Sequence, residues 1–270
     1  PACFEPALDY VVTKMPRFPF DKFTDASNRL GTQMKATGEV MSVGRTVEES
    51  LLKAVRSLEI GARHLHLPKF DPMTGEELLS YITLGTDDRI YAVAQLLRLG
   101  MDPGLIAART QIDPFFLDKL GNIVALEQDL SAAPRDPGVL LRAKRAGFSD
   151  AWIARTWGME EDALRALRKE HGILPVYKMI DSCASEFDSY IPYFYSTYEA
   201  ENESRVSDRP KILVLGSGPI RIGQGVEFDY STVHAVQTIR AHGYEAILLN
   251  NNPETVSTDY TTSDKLYFEP

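Results

Sequence analysis

The 270-residue sequence is poor in cysteine, in positive charge and in long apolar runs, and each scarcity excludes a class of protein. Cys3 and Cys183 are too few for a disulfide framework and lack metal-ligand spacing, so reduced thiols in a cytoplasmic protein are expected. The net charge of −9 disfavours nucleic acid as the main partner, because binding to phosphates depends on excess lysine and arginine. No apolar run approaches the roughly 18 residues of a membrane span and no secretion leader is visible, so no membrane partner is expected.

A glycine-rich stretch near the C-terminus predicts an α/β unit. An apolar run, 212–215, meets a glycine-rich turn; a helical pattern at 229–241 then leads to a second apolar run, 246–249. Strand, loop, helix and strand in that order predict a right-handed parallel crossover in an open Rossmann-like sheet. Glycine suits a loop that turns with positive φ or brings an N–H close to an anion. The candidate anion or ligand loop comprises Gly216, Gly218, Arg221, Gly223 and Gln224.

This loop departs from the dinucleotide-binding pattern, which disfavours NAD as its ligand. The third glycine falls at 223 rather than 221, Pro219 lies inside the loop, and asparagines 250–252 stand where an acidic residue would hold a ribose. Arg221 has the fork of donors that suits a carboxylate or phosphate, or it caps the strand ends. A tight turn without any ligand remains the alternative for the whole loop.

The remaining chain predicts a mixed fold with three further segments. Residues 1–61 contain short strand candidates at 10–13 and 40–43, then a helix that begins at the N-cap Thr46 and stops at Gly61. Residues 62–197 show helical spacing and predict an all-helical domain, and residues 198–210 form a polar linker to the Rossmann-like unit at 211–270. The helices are expected at 75–84, 89–99, 102–109, 113–130, 137–146, 149–156 and 160–170.

The lengths of the last two of these helices and the short turn between them are also typical of a helix-turn-helix motif. A DNA reader would place the start of the second helix in the major groove, but that start is Glu160, Glu161 and Asp162. Three carboxylates would face phosphates there, so packing between helices is the favoured interpretation. His64 and His66 form a pair without a third ligand, which favours a surface loop over a metal site, and no metal residue is predicted.

Several long motifs resemble the large subunit of the carbamoyl-phosphate synthetase family. GSGPIRIGQGVEFDY followed by NNNPETVSTDYTTSDKLYFEP resembles the start of its second half, which forms carbamoyl phosphate. FEPALDYVVTKMPRFPFDKF and TQMKATGEVMSVGRTVEESLLKAVRSLE resemble the end of its first ATP-grasp domain, and PVYKMIDSCASEFDSYIPYFYSTYE resembles its connecting segment. The resemblance implies an ATP-grasp tail at 1–61, an oligomerisation domain at 62–197 and a pre-ATP-grasp unit at 211–270. Since the sequence starts at Pro1 and stops at Pro270, it also implies an internal fragment.

The same resemblance implies a function for the parent enzyme. Such an enzyme is a ligase that makes carbamoyl phosphate from bicarbonate, glutamine-derived ammonia and two ATP, with Mg²⁺ or Mn²⁺ and a glutaminase small subunit. The complete catalytic sites of the family lie outside this sequence, so the fragment is expected to be inactive alone, to hold no cofactor, and to associate with itself through its helices.

By motif, the resemblance places three carboxylates in the internal passage for carbamate: Glu39, Glu227 and Glu254. A passage for an unstable anion needs polar walls that exclude bulk water, and carboxylates in it would have to be paired or protonated. For Glu227 and Glu254 the alternative interpretation is an ordinary helix cap. A purely structural module without ligand chemistry remains the second hypothesis, and a DNA-binding protein the third.

Overall fold

The computed structural model describes residues 3–187 and 190–270 and divides the chain into two compact units. One unit, called the sheet unit, comprises Pro1–Arg17, Thr37–Leu58 and Leu174–Pro270. The other, called the helical unit, comprises Phe18–Ala36 and Glu59–Ile173. Within the described ranges, none of the helices combines the length and the apolar character that a bilayer span requires.

The sheet unit contains a two-stranded and a five-stranded sheet. Its strands are β1 (Val11–Arg17), β2 (Gly38–Gly44), β3 (Val176–Met179), β4 (Tyr193–Thr197), β5 (Lys211–Leu215), β6 (Glu245–Asn250) and β7 (Lys265–Phe268). β1 and β2 pair antiparallel, with Val12 opposite Val43. The larger sheet has the order β3-β4-β7-β6-β5, in which β3 is antiparallel to β4 and the other neighbours are parallel.

The helices follow the predicted pattern closely, because their ends carry strong local signals. They are α1 (Val47–Ser57), α2 (Gly75–Tyr81), α3 (Arg89–Arg98), α4 (Pro103–Thr110), α5 (Pro114–Ala132), α6 (Pro137–Arg145), α7 (Asp150–Trp157), α8 (Glu161–Glu170) and α9 (Glu227–Ala241). Thr46 caps α1 by accepting a hydrogen bond from the Glu49 N–H, as predicted. Thr74 and Glu77 form a complete capping box on α2.

The predicted strand–loop–helix–strand crossover is confirmed. β5 and β6 are parallel neighbours joined through α9, with Leu213 opposite Ile247. α9 begins at Glu227 rather than at Asp229, so the expectation that Glu227 precedes the helix was wrong. The reason is that Val226 already has right-handed helical backbone angles and no side-chain cap interrupts the chain there.

One apolar core joins the two ends of the sheet unit. Its buried members come from β2, the larger sheet and the segment after β3: Val43, Ile180, Tyr195, Leu248, Leu266 and Phe268. Tyr10 and Met41 pack against this core. The N-terminal hairpin and the Rossmann-like segment therefore share one core, whereas the sequence assigned them to separate domains, 1–61 and 211–270.

The predicted all-helical range 62–197 is wrong at its C-terminal end. The helices end with α8 at Glu170, and residues 176–179 and 193–197 form β3 and β4 of the larger sheet. Both segments are rich in aromatic and β-branched residues, which favour a half-buried pleated surface.

The predicted linker 198–210 packs along β3. Glu203 donates its N–H to the Tyr177 carbonyl (2.8 Å) and accepts a hydrogen bond from Lys178 Nζ (2.9 Å). Its other carboxylate oxygen accepts from the Met179 N–H (2.7 Å). This segment is therefore tied to the edge of the sheet by backbone and side-chain hydrogen bonds.

Candidate functional site

β2 brings the predicted site segments together in the sheet unit. At its start, the Thr37 hydroxyl donates to the Ile220 carbonyl of the glycine loop (3.4 Å). Gly38 permits this approach, because a Cβ there would lie 2.9 Å from the Ile220 oxygen. Further along β2, the Met41 N–H donates to the Asn251 carbonyl in the turn after β6 (2.8 Å). Glu39 lies between these two attachments, next to both loops that the sequence singled out.

Lys14 connects two of the three predicted passage carboxylates. Its ammonium, on β1, forms an ion pair with Glu39 Oε1, and Glu254 Oε1 lies 3.9 Å from the same Nζ. The hydrogen bond to Glu39 raises the pKa of Lys14 above its ordinary value, so the ammonium remains charged. The Glu39 side chain is 25% exposed and that of Glu254 66%, so the pair opens to solvent on the Glu254 side. The structure thus provides the pairing that neighbouring carboxylates require.

Glu227, the third predicted carboxylate, makes a different contact. Its Oε1 accepts a hydrogen bond from the Gly225 N–H (3.2 Å), just before α9 begins. A Cβ at residue 225 would lie 2.5 Å from Glu227 Oε2, so a larger residue there would displace the Glu227 carboxylate. Among the contacts of residues 3–187 and 190–270, none joins Glu227 to Lys14, Glu39 or Glu254. This contact lies at the start of α9, and a passage role for Glu227 stays a prediction.

The Asn250 side chain occupies the first part of the glycine loop. Its Oδ1 accepts hydrogen bonds from the N–H groups of Gly218 (3.1 Å) and Asn251 (2.9 Å). Gly216 packs directly against it, because a Cβ there would lie 2.4 Å from Asn250 Cγ. The donor that an anion would use at Gly218 is therefore bonded within the protein. At Gly216 and Gly218 the structure favours the tight turn without a ligand.

The second part of the loop is more open. Gly223 has φ of +85°, in the region that glycine enters without strain, and its neighbour Gln224 donates its N–H to the Arg221 carbonyl (3.0 Å). Both Arg221 and Gln224 are half-buried. An anion-binding role for Arg221, Gly223 and Gln224 stays a prediction.

The sequence interpretation missed Lys14 and Asp229, which shape this region, and it missed the structural role of Asn250. The buried Asp229 accepts hydrogen bonds from the N–H groups of Val256 (2.9 Å) and Ser257 (3.2 Å). It thereby ties the turn that carries Glu254 to the first turn of α9. An aspartate there normally signals a cap of its own helix, so no sequence pattern indicates this longer contact.

Two family models match this chain. Residues 39–172 match the carbamoyl-phosphate synthetase large chain, oligomerisation domain, and residues 208–270 match the carbamoyl phosphate synthase preATP-grasp domain. The chain belongs to the carbamoyl-phosphate synthetase large-chain family. Glu39 is the first residue of one match, while Glu227 and Glu254 lie within the other. The oligomerisation match covers most of β2 and the helices α1–α8 and supports self-association of this family member.

In this synthetase family member, the suspected helix-turn-helix is an internal packing arrangement. Asp150, at the start of α7, pairs with Lys144 and with Arg168, each at 2.7 Å. Burial alone would raise the pKa of Asp150, but these two cations hold it below its ordinary value. Lys144 and Arg168 are themselves buried, so two cations that a DNA reader would need face the protein interior.

The prediction of a surface loop was wrong for His64. Its ring is 3% exposed, and Nε2 lies 2.7 Å from Glu127 Oε1 on α5. His66 is half-buried and pairs with Asp71 Oδ1 at 2.8 Å. Within residues 3–187 and 190–270, no group of three or more histidine, cysteine, aspartate and glutamate side chains is arranged to hold a metal ion.

Proposed function

We propose that this chain is part of an ATP-dependent ligase that makes carbamoyl phosphate from bicarbonate, glutamine-derived ammonia and two ATP. In that enzyme the sheet unit contributes part of the wall of the carbamate passage, and the helical unit contributes subunit assembly. Membership in the synthetase family supports the reaction. The position of Lys14 between Glu39 and Glu254 is the observation that supports the passage.

The charge arrangement suits a route for an unstable anion. Carbamate would be repelled by two unpaired carboxylates, since like charges at close range cost free energy in a partly desolvated site. Lys14 neutralises one charge and lies within ion-pair distance of the other, so the wall is polar but only weakly negative. A polar wall of this kind suits the passage of an anion.

We expect the sites for ATP and its metal to lie in other parts of the synthetase, as the family resemblance implies. Mg²⁺ prefers an octahedral set of oxygen ligands, and within the described ranges no group of three or more histidine, cysteine, aspartate and glutamate side chains is arranged to hold a metal ion. Phosphoryl transfer is accordingly proposed for those other parts, and the glutaminase small subunit is a partner of the parent enzyme. By itself the chain is expected to act as a structural and assembly module.

The passage role is tested by replacing Glu254 with glutamine in the complete synthetase. The substitution removes a negative charge and leaves Lys14 without its second partner, so carbamate is expected to be lost before it reaches the second site. The measured quantity is the ATP hydrolysed per carbamoyl phosphate formed, which should rise by about twofold or more. Glu161→Gln, an exposed charge change on α8, should leave this ratio unchanged. An unchanged ratio in Glu254→Gln would refute the passage role.

Two exposed aromatic side chains mark a contact surface for assembly. Phe115 and Phe116, at the start of α5, are 51% and 53% exposed, and their rings meet edge to face at a centroid distance of 5.3 Å. Adjacent exposed phenylalanines are costly in water, and a second copy of the chain would remove them from it. The match to an oligomerisation domain supports a second copy as the partner.

A further inference from the structure

The helical unit contains a groove of about 580 Å³ that the proposed function does not use. Polar and aromatic side chains from the loop after α1 and from α3, α5 and α7 line it, among them Arg63, His64, Arg98, Glu127, Trp152 and Arg155. Ligand pockets for small molecules in proteins generally measure about 300–1,000 Å³, so the groove has a suitable size.

Buried charges at one side of the groove are held rigidly. Arg98 Nε donates to Glu127 Oε2 (2.7 Å), and Arg98 Nη2 donates to Glu127 Oε1 (2.8 Å) and to the Leu65 carbonyl (2.7 Å). Burial would raise the pKa of Glu127, but Arg98 and His64 hold it below its ordinary value. Glu127 is therefore ionised, and its charge is matched by the guanidinium of Arg98.

The other two arginines of the groove have no such partner. In the part of the chain that the structure describes, neither Arg63 nor Arg155 has a carboxylate within 4.0 Å, and both are exposed. The groove thus combines three guanidinium groups with one carboxylate, in a chain whose net charge is −9. A concentration of positive charge on an acidic protein favours an anionic ligand, and guanidinium forks match phosphate oxygens well.

Trp152 adds a flat apolar surface to this positive site. Its ring packs against His64 at a centroid distance of 4.4 Å and against Phe148 at 5.1 Å, so its position is fixed. A half-buried tryptophan beside arginines suits a planar ring that carries a negative group. We propose that this groove binds a small organic phosphate, with the phosphate at Arg63 and Arg155 and its ring against Trp152.

Intrinsic tryptophan fluorescence tests this site directly, because both tryptophans of the chain, Trp152 and Trp157, lie in the helical unit. Titration with phenyl phosphate is expected to change the emission in a saturable way. The double variant Arg63→Glu/Arg155→Glu should weaken binding at least about tenfold, since it reverses both contacts to the phosphate. The matched control, Arg109→Glu/Arg165→Glu, changes the same charge at exposed positions outside the groove lining and should bind within about twofold of the original chain.

Three results would overturn the proposal. The first is the absence of saturable binding by the unchanged chain at millimolar phenyl phosphate. The second is an equal loss of affinity in the control, which would reveal general charge attraction rather than a site. The third is inorganic phosphate binding as tightly as phenyl phosphate, which would leave no role for Trp152. Because both arginines are exposed, the variants should keep their fold, which far-ultraviolet circular dichroism checks. If the double variant does not fold, the single variant Arg155→Gln tests the same contact to the phosphate.

Discussion

The two units differ in how completely they cover their apolar side chains. In the helical unit, most long apolar side chains of the helices are buried, including Leu78, Leu96 and Leu117 at 0% exposure. In the sheet unit, the edge strand β5 leaves Leu213 54% and Leu215 71% exposed. An apolar strand at the edge of a sheet offers both its side chains and its unpaired backbone groups to other molecules. The helical unit therefore buries most of its apolar helix side chains and leaves the Phe115–Phe116 pair exposed, whereas the sheet unit exposes a whole edge strand.

The buried carboxylates of the two units also differ in how fully nearby cations compensate for their burial. In the helical unit Asp150 has two cationic partners, and its pKa is lowered despite burial. In the sheet unit Glu49 is 1% exposed with Lys53 at 3.6 Å, and burial raises its pKa more than Lys53 lowers it. One cation does not offset the loss of hydration around Glu49, while two cations do so around Asp150.

The largest expected effect comes from breaking the charge cluster of the helical unit. Asp150→Asn removes the buried charge that pairs with both Lys144 and Arg168, so the free energy of unfolding should fall by about 3–5 kcal/mol. Urea unfolding followed by tryptophan fluorescence measures this quantity for the helical unit alone. Asp129→Asn removes the exposed pair with Arg142 and should cost less than about 1 kcal/mol. Equal losses in both variants would contradict the conclusion that the buried cluster around Asp150 stabilises the helical unit more than an exposed ion pair does.

The contribution of Asp150 to stability should also depend on pH. The pKa of Asp150 in the folded chain lies below its ordinary value of 3.8. Its contribution to stability is therefore complete above the unfolded pKa and is lost as the pH falls through the folded one. The stability difference between the original chain and Asp150→Asn should hold above about pH 5 and shrink toward pH 2. A stability difference that grows as the pH falls would contradict the lowered pKa assigned to Asp150.

A smaller effect is expected from alanine substitutions at two glycines, one in each unit. In the sheet unit, Gly216→Ala forces a Cβ into the space of Asn250 and should cost about 1–3 kcal/mol. In the helical unit, Gly121 on α5 has open space around it, so Gly121→Ala should stabilise the helix by up to about 1 kcal/mol. Amide hydrogen exchange of β5 and β6 reports the first change, and tryptophan-detected unfolding reports the second. Unchanged exchange in Gly216→Ala would contradict the tight packing at the loop.

Local signals made the helices and the crossover predictable from the sequence. Contacts between segments that lie far apart in the chain were not predictable in this way. Thr74 and Glu77, three residues apart, form a capping box that indicates the start of α2, and Gly85 ends the following turn in a left-handed conformation. β3 and β4 were missed because their partners, including β7, lie far away along the chain. Lys14 meets Glu254 only after folding, and no spacing rule connects residues so far apart. Asn250 was noticed as a missing acidic residue, whereas its role as a support for Gly216 depends on packing.

The proposed division of labour between the units is tested most directly by sedimentation velocity over a wide concentration range. The account predicts a reversible dimer or higher oligomer that the helical unit holds together. Phe115→Ser/Phe116→Ser should shift it to monomer, while Leu213→Lys/Leu215→Lys on the open β5 edge should leave it assembled. A chain that stays monomeric at every concentration, or one whose assembly is lost only in the β5 variant, would contradict the account.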